Sequence, residues 1–215
     1  MPLLETHTHL PEGCVELSDV SWEFYEQFLD EFRGRRIKHV YLDGELAIMS
    51  PVFAPHEILK KRLARMVEAI TEELKLPILS TGSLTLRASA LRHGAEPDES
   101  YFLAHADAVR GMTQYNPETD PPPDLVIEVD ITSFSDRRLQ VYAALGVPEV
   151  WIAGDRPFRI ELLDEDGIYQ ESEPSRAFAG VTADTIREWL TRAATEDETT
   201  WITTFREWIR SNLTM

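Results

Sequence analysis

The chain has one cysteine, Cys14. That excludes an intrachain disulfide, suits a reducing compartment, and leaves the core to hold the fold. No apolar run approaches the roughly twenty residues that cross a bilayer, so no membrane span is expected. The first residues, MPLLETHTHLPEG, carry neither a basic start nor an apolar stretch, so no signal peptide is expected and a cytoplasmic location follows. Positive charge is scarce: 21 Lys and Arg stand against 38 Asp and Glu, a net charge of -17. The overall field repels polyanions, so only a local patch could hold nucleic acid. The candidates are Arg33, Arg35, Arg36 and Lys38 before the first strand, and Lys60, Lys61, Arg62 and Arg65 further on. Also missing are a nucleophile elbow, a Walker loop, a GxGxxG turn, an HExxH helix and paired CxxC motifs, which removes the common rival enzyme signatures. There are no internal repeats and no low-complexity segments.

At 215 residues and 43% hydrophobic, the chain is long enough for one domain with a sizeable core. Its most informative stretch is Asp124 to Asp130, DLVIEVD. As a strand it sends Leu125, Ile127, Val129 and Ile131 to one face. Asp124, Val126, Glu128 and Asp130 go to the other. Glu128 and Asp130, two apart, are neighbours whose like charges repel unless a cation sits between them. A hard divalent ion such as Mg²⁺ asks for that arrangement. Pro121 to Pro123 give the strand a sharp start. After it, Ser135 is a plausible N-cap for a helix with Leu139, Tyr142 and Leu145 on one stripe and Gly146 as its stop. Pro148 to Gly154 reads as the next strand, completing a βαβ-like unit with the acidic strand first.

Upstream, Glu96-Pro97-Asp98-Glu99 leads into an aromatic run, Ser100 to Leu103, that reads as a strand. Glu96 and Glu99 are expected to be solvated turn residues. His56 and Glu57 open a long helix running to about Lys75, with apolar residues from Ile58 to Leu74 at three-to-four spacing. Its basic group faces phosphate on one reading and pairs with Glu57 and Glu68 on the other. Ser18 or Ser21 can cap a first helix carrying Trp22, Tyr25, Phe28, Leu29 and Phe32. Asp43-Gly44 marks a two-residue hairpin, and Asp164 to Gly167 a second. Thr182 to Arg192 and Thr199 to Ile209 read as the last helices. Trp201, Phe205, Trp208 and Ile209 form a stripe that packs on the domain's own sheet or, alternatively, in a homodimer. His7 and His9 are taken as an incidental chelating pair. The expected organisation is an N-terminal segment 1–17, a domain 18–194 and a C-terminal helix 195–215.

The residues Tyr41 to Leu46, Met49-Ser50-Pro51 with His56 following, Pro97-Asp98, Asp124 to Val129 and Tyr142 to Trp151 occur in a characteristic order and spacing. In these the chain resembles the Uma2 family (DUF820) of restriction-endonuclease-like proteins in the PD-(D/E)xK nuclease superfamily. The resemblance implies an α/β fold with a mixed central sheet flanked by helices. It implies a Mg²⁺- or Mn²⁺-dependent endonuclease acting on nucleic acid, most readily DNA. Asp98 matches the PD aspartate and Glu128 the (D/E) position. Asp130 stands where the superfamily has lysine, and Arg138 where this family moves that lysine into the helix. On the implied chemistry Asp98 and Glu128, with Asp130 or the Val129 carbonyl, hold the ion. His56 falls where the family has a histidine near the site. Arg138 steadies the developing negative charge. Arginine keeps the positive charge and forks onto phosphate, but it cannot act as a general base. The rival reading is an inactive nuclease fold that binds nucleic acid or a partner protein.

Overall fold

Two sheets with a helix between them set the frame, and the chain crosses from one to the other beside Asp98. The computed structural model describes residues 14–32, 37–49, 54–130 and 135–213, without the side chains of Asp130, Ser135 and Asp136. The first sheet is antiparallel and five-stranded: β1 (Cys14–Leu17), β2 (Lys38–Leu42), β3 (Glu45–Met49), β5 (Leu86–Ala88) and β6 (His93–Ala95), in the order β1-β3-β2-β6-β5. The second contains β4 (Leu79–Ser80), β7 (Glu99–Phe102), β8 (Leu125–Asp130), β9 (Glu149–Gly154), β10 (Arg159–Leu163) and β11 (Tyr169–Ser172). Its order is β11-β10-β9-β8-β7-β4, and only β8 and β9 run parallel. That parallel pair is the βαβ-like unit of the sequence, joined by α3 (Ser135–Ala144) and ended by Gly146 at φ +76°.

Local chemistry explains the turns. Asp43 and Gly44 both take positive φ, +47° and +97°, as a two-residue hairpin between β2 and β3 requires. Ser21 caps α1 (Trp22–Glu31), its hydroxyl accepting from the Phe24 N–H at 3.1 Å. Tyr25 from that helix stacks on Tyr41 with centroids 4.6 Å apart. Its ring runs so close over β6 that a Cβ at Gly94 would stand 2.9 Å from it, so only glycine fits there.

Alternation along β2 then sorts its side chains. His39 and Tyr41 face α1, while Lys38 and Val40 face the second sheet. Val40, Ala47 and Leu86 of the first sheet meet Val126, Val150 and Ile152 of the second, with Val141 and Tyr142 of α3 among them. The other face of the second sheet, through Leu125, Ile127 and Val129, packs on α2 (Ala54–Leu74), α4 (Ala183–Ala193) and α5 (Glu198–Asn212). Both faces of β8 are therefore covered, as a near-continuous hydrophobic run requires.

The expectations from sequence lack β1, β4, β5 and β6, which are two to four residues long; β1, β4 and β6 pair with strands more than twenty residues away, and β5 adds locally to β6. They place the helices and the longer strands within a few residues. The stripe on α5 turns inward: Trp201, Phe205 and Ile209 are fully buried in the chain's own core. Arg206 and Arg210 bind Glu72 and Glu73 at the end of α2, clamping the helix down. This internal packing is the first of the two uses expected for the stripe. Among the described residues no helix is long and apolar enough to cross a membrane.

If α5 is integral to the core, Trp201→Ala will cost about 3–5 kcal/mol, the range for emptying a buried tryptophan site. Urea unfolding reads this as a lower midpoint at unchanged slope. A change under about 1 kcal/mol would show the helix to be an appendage.

Candidate active site

The antiparallel register of β7 on β8 pairs Glu99 with Ile127, Ser100 with Val126 and Tyr101 with Leu125. Continued by one residue, it sets Asp98 opposite Glu128. Pro97 has no N–H and ends the ladder there. The Asp98 carboxylate accepts the Val129 N–H instead, at 2.8 Å to Oδ2. Two carboxylates from adjacent strands thus lie side by side at the sheet end. Both are buried, Asp98 to 4% exposure and Glu128 to 1%.

A pair of like charges held that close and that dry requires cations. Two are present. Arg138, in the first turns of α3 and 3% exposed, donates to Glu128 Oε2 at 2.6 Å. Lys38, from the start of β2, places Nζ 2.6 Å from Asp98 Oδ2 and 2.9 Å from Glu128 Oε2. Tyr142, one turn after Arg138, donates to the other Glu128 oxygen. Burial and the adjacent Glu128 charge push that phenol well above its ordinary range, so it stays a donor. His56, in the first turn of α2 and buried, reaches Asp98 Oδ1 with Nε2 at 3.3 Å, while Nδ1 faces Glu57 at 3.3 Å. Burial alone would raise the Asp98 carboxyl. The Lys38 ammonium and the His56 contact outweigh it and hold Asp98 well below the usual carboxylate range.

Four expected residues are therefore brought together: Asp98, Glu128, Arg138 and His56. The Asp130 side chain lies outside the described residues, as do His7, His9, Arg33, Arg35, Arg36, Ser50 and Pro51. Glu96 is not the solvated turn residue expected of it. Its side chain is 22% exposed, and burial, with the charges of Asp98 and Glu128 adding, pushes its carboxyl up to about 7. Glu99 is likewise largely buried, 3.9 Å from Lys60, and burial raises its carboxyl too. The basic group on α2 is partly spent on ion pairs, Lys60 with Glu99 and Arg65 with Glu198, rather than the Glu57 and Glu68 partners expected.

Lys38 is the residue whose role the sequence hid. It belongs to the basic group before the first strand, a candidate local patch for nucleic acid. Instead it turns inward. Its spacing of two from Val40 is the signal, but His39, Val40 and Tyr41 are all buried, so alternation alone does not say which face meets the site.

His39, next along the strand, faces away from it. Its Nδ1 donates to the Ile37 carbonyl at 3.1 Å, which leaves Nε2 to accept from the Tyr25 hydroxyl at 3.0 Å. Burial lowers its pKa to about 4. The Glu96 carboxylate lies 3.7 Å away, an ion-pair distance. With His39 down at about 4 and Glu96 up at about 7, both are neutral between those values, and the contact is not an ion pair there.

Among the described residues no three His, Cys, Asp or Glu side chains cluster as a metal cage. Asp98 and Glu128 do offer two hard oxygens that converge on one cation, which is the donor chemistry Mg²⁺ or Mn²⁺ takes. The ammonium of Lys38 stands at that point of convergence, so the pair fits a divalent ion on condition that Lys38 moves aside.

Arg138→Met leaves Glu128 short of one counter-charge. In chelator it will destabilise the fold by about 3–5 kcal/mol, the cost of breaking a buried pair. Urea unfolding measures this, and a loss under about 1 kcal/mol would mean Lys38 alone neutralises the site. His39 gives a pH dependence. Its folded pKa is depressed, so its contribution is fully present above about 6.5 and is lost as pH falls through about 4. Unfolding midpoints at pH 7 and pH 4.5 will therefore converge in His39→Gln relative to the unsubstituted protein. Equal pH slopes in the two would rule the buried neutral imidazole out.

The Uma2 family model, described as "Putative restriction endonuclease", matches residues 22–195. No curated protein matches the chain. One solved structure, described as "a putative nuclease belonging to DUF820 from Anabaena variabilis ATCC 29413", is 14% identical, with a TM-score of 0.47, and the match covers 71% of this chain and 90% of that one.

Proposed function

The chain belongs to the Uma2 family, and on that premise we propose that it is a divalent-metal-dependent endonuclease that hydrolyses phosphodiester bonds. The observation that carries this reading is the meeting of Asp98 and Glu128, from two neighbouring strands, on one cation at 2.6 and 2.9 Å. Two hard oxygens fixed by β-strand register make a preformed half of a Mg²⁺ or Mn²⁺ site, to which the Asp130 carboxylate, two residues beyond Glu128, is the further candidate ligand. A bound divalent ion would polarise a phosphate oxygen and lower the pKa of a coordinated water.

The chain's own residues supply the rest. The Val129 N–H and His56 orient the Asp98 carboxylate by fixing both of its oxygens. Tyr142 fixes Oε1 of Glu128, while Oε2 faces Lys38 and Arg138. Arg138 is a permanent cation a few ångströms from the reacting centre, with a planar fork suited to a phosphate bearing extra negative charge in the transition state. It cannot accept a proton. No protein nucleophile is needed. Nucleic acid, with DNA first, is the substrate class. Its approach against a net charge of -17 makes binding steeply salt-sensitive and confines it to the local basic groups.

Plasmid, linear and single-stranded DNA, and RNA, incubated at low salt with Mg²⁺ or Mn²⁺, test this. Cleavage is expected with metal and not with chelator. Glu128→Gln should lower it by at least about a hundredfold, the scale on which losing a metal-holding group acts. No cleavage of any of them with either ion, while DNA still binds, would support the inactive nuclease fold instead.

A further inference from the structure

Lys38 bears on how the proposed metal site is filled. Its Nζ lies within hydrogen-bond distance of one oxygen of each carboxylate, and its side chain is 14% exposed. Among the described side chains, two carboxylates face one ammonium and one guanidinium, with Arg138 at 3% exposure on Glu128. An ion of Mg²⁺ type sits about 2.0–2.1 Å from its oxygens. An ion touching both Asp98 Oδ2 and Glu128 Oε2 would therefore lie against the ammonium that already touches both. Two cations in contact inside a largely buried pocket repel strongly. The guanidinium is pinned within a packed helix. The lysine hangs at the start of a strand on a flexible four-carbon stem.

We propose that Lys38 is an internal counter-cation that competes with the divalent ion for Asp98 and Glu128, so that loading the site requires its ammonium to swing out. This rests on the metal-dependent reading above. Lys38 is thus a positioning residue in the free protein. It keeps the acidic pair charged, ordered and closed to stray divalent ions. The competition also couples metal to substrate. A phosphate at the site mouth gives the displaced ammonium an anionic partner, and so lowers the cost of releasing it.

Calorimetric titration of Mn²⁺ into the unsubstituted protein, Lys38→Met and Lys38→Arg tests this without reference to cleavage. Lys38→Met removes the charge and keeps most of the stem. It is expected to bind Mn²⁺ at least about tenfold more tightly, since relief of a little over 1 kcal/mol of cation–cation repulsion suffices for that. Lys38→Arg keeps the charge and should stay within about threefold of the unsubstituted protein. A second readout needs no variant. Acetylation of Lys38 by acetic anhydride, followed by mass spectrometry, should be slow in chelator and several-fold faster with saturating Mn²⁺. Equal or weaker binding by folded Lys38→Met, or acetylation indifferent to bound Mn²⁺, overturns the competition while leaving the metal-dependent reading intact. Absence of Mn²⁺ binding in all three proteins overturns both.

Discussion

Two carboxylates held side by side in a dry place are the constraint around which this molecule is arranged. Asp98 and Glu128 face each other because β7 and β8 are paired in one register, and a slip of one residue would send each to the opposite face. Their mutual repulsion must be met on the spot, and each cation comes from a different layer. Arg138 arrives on the helix between the sheets, and Lys38 on a strand of the other sheet. The crossing of the chain from β6 to β7 through Glu96, Pro97 and Asp98 brings these layers to a common point. The ion cluster joins the two sheets, and losing one member leaves a buried charge exposed to the full cost of desolvation.

The same arrangement accounts for the electrostatics nearby. Glu96 lies within the field of Asp98 and Glu128 and is partly buried, so its proton is held to about neutral pH. Asp98 is more buried still, yet is pulled the other way because Lys38 and His56 touch it. Distance to a cation, not burial, separates the two. On the far side of β2 His39 is kept neutral by burial alone, and its two ring nitrogens are used for structure rather than chemistry. One strand thus presents a lysine to the site and a histidine to the core, by alternation.

On the motif positions that the resemblance implies, Asp130 and Arg138 stand where a lysine is expected. The structure shows a lysine at the acidic pair all the same, supplied by β2. Two apposed carboxylates need a cation, and β2 provides one.

Much of this was written locally in the sequence. The alternation of Leu125 to Asp130, the proline brake before it, the Gly146 stop and the Asp43-Gly44 turn each act over a few residues, so they could be read without knowing the fold. The pairing of Asp98 with Glu128 was legible through the family resemblance, and the apolar stripe of Trp201 and Phe205 through helical spacing, which left open whether it packs on the chain's own core or on a second copy. Three things were decided only in three dimensions. The short strands β1, β4, β5 and β6 carry too few residues to show a period; β1, β4 and β6 form on distant partners, and β5 then adds to β6. Glu96 and Glu99 are half-hidden because a second sheet and α2 close over them. Lys38 enters the site because β2 lies next to β6, a pairing between residues more than fifty positions apart. Local chemistry fixes turns, caps and faces; the meeting of charges from distant strands depends on how the sheets stack.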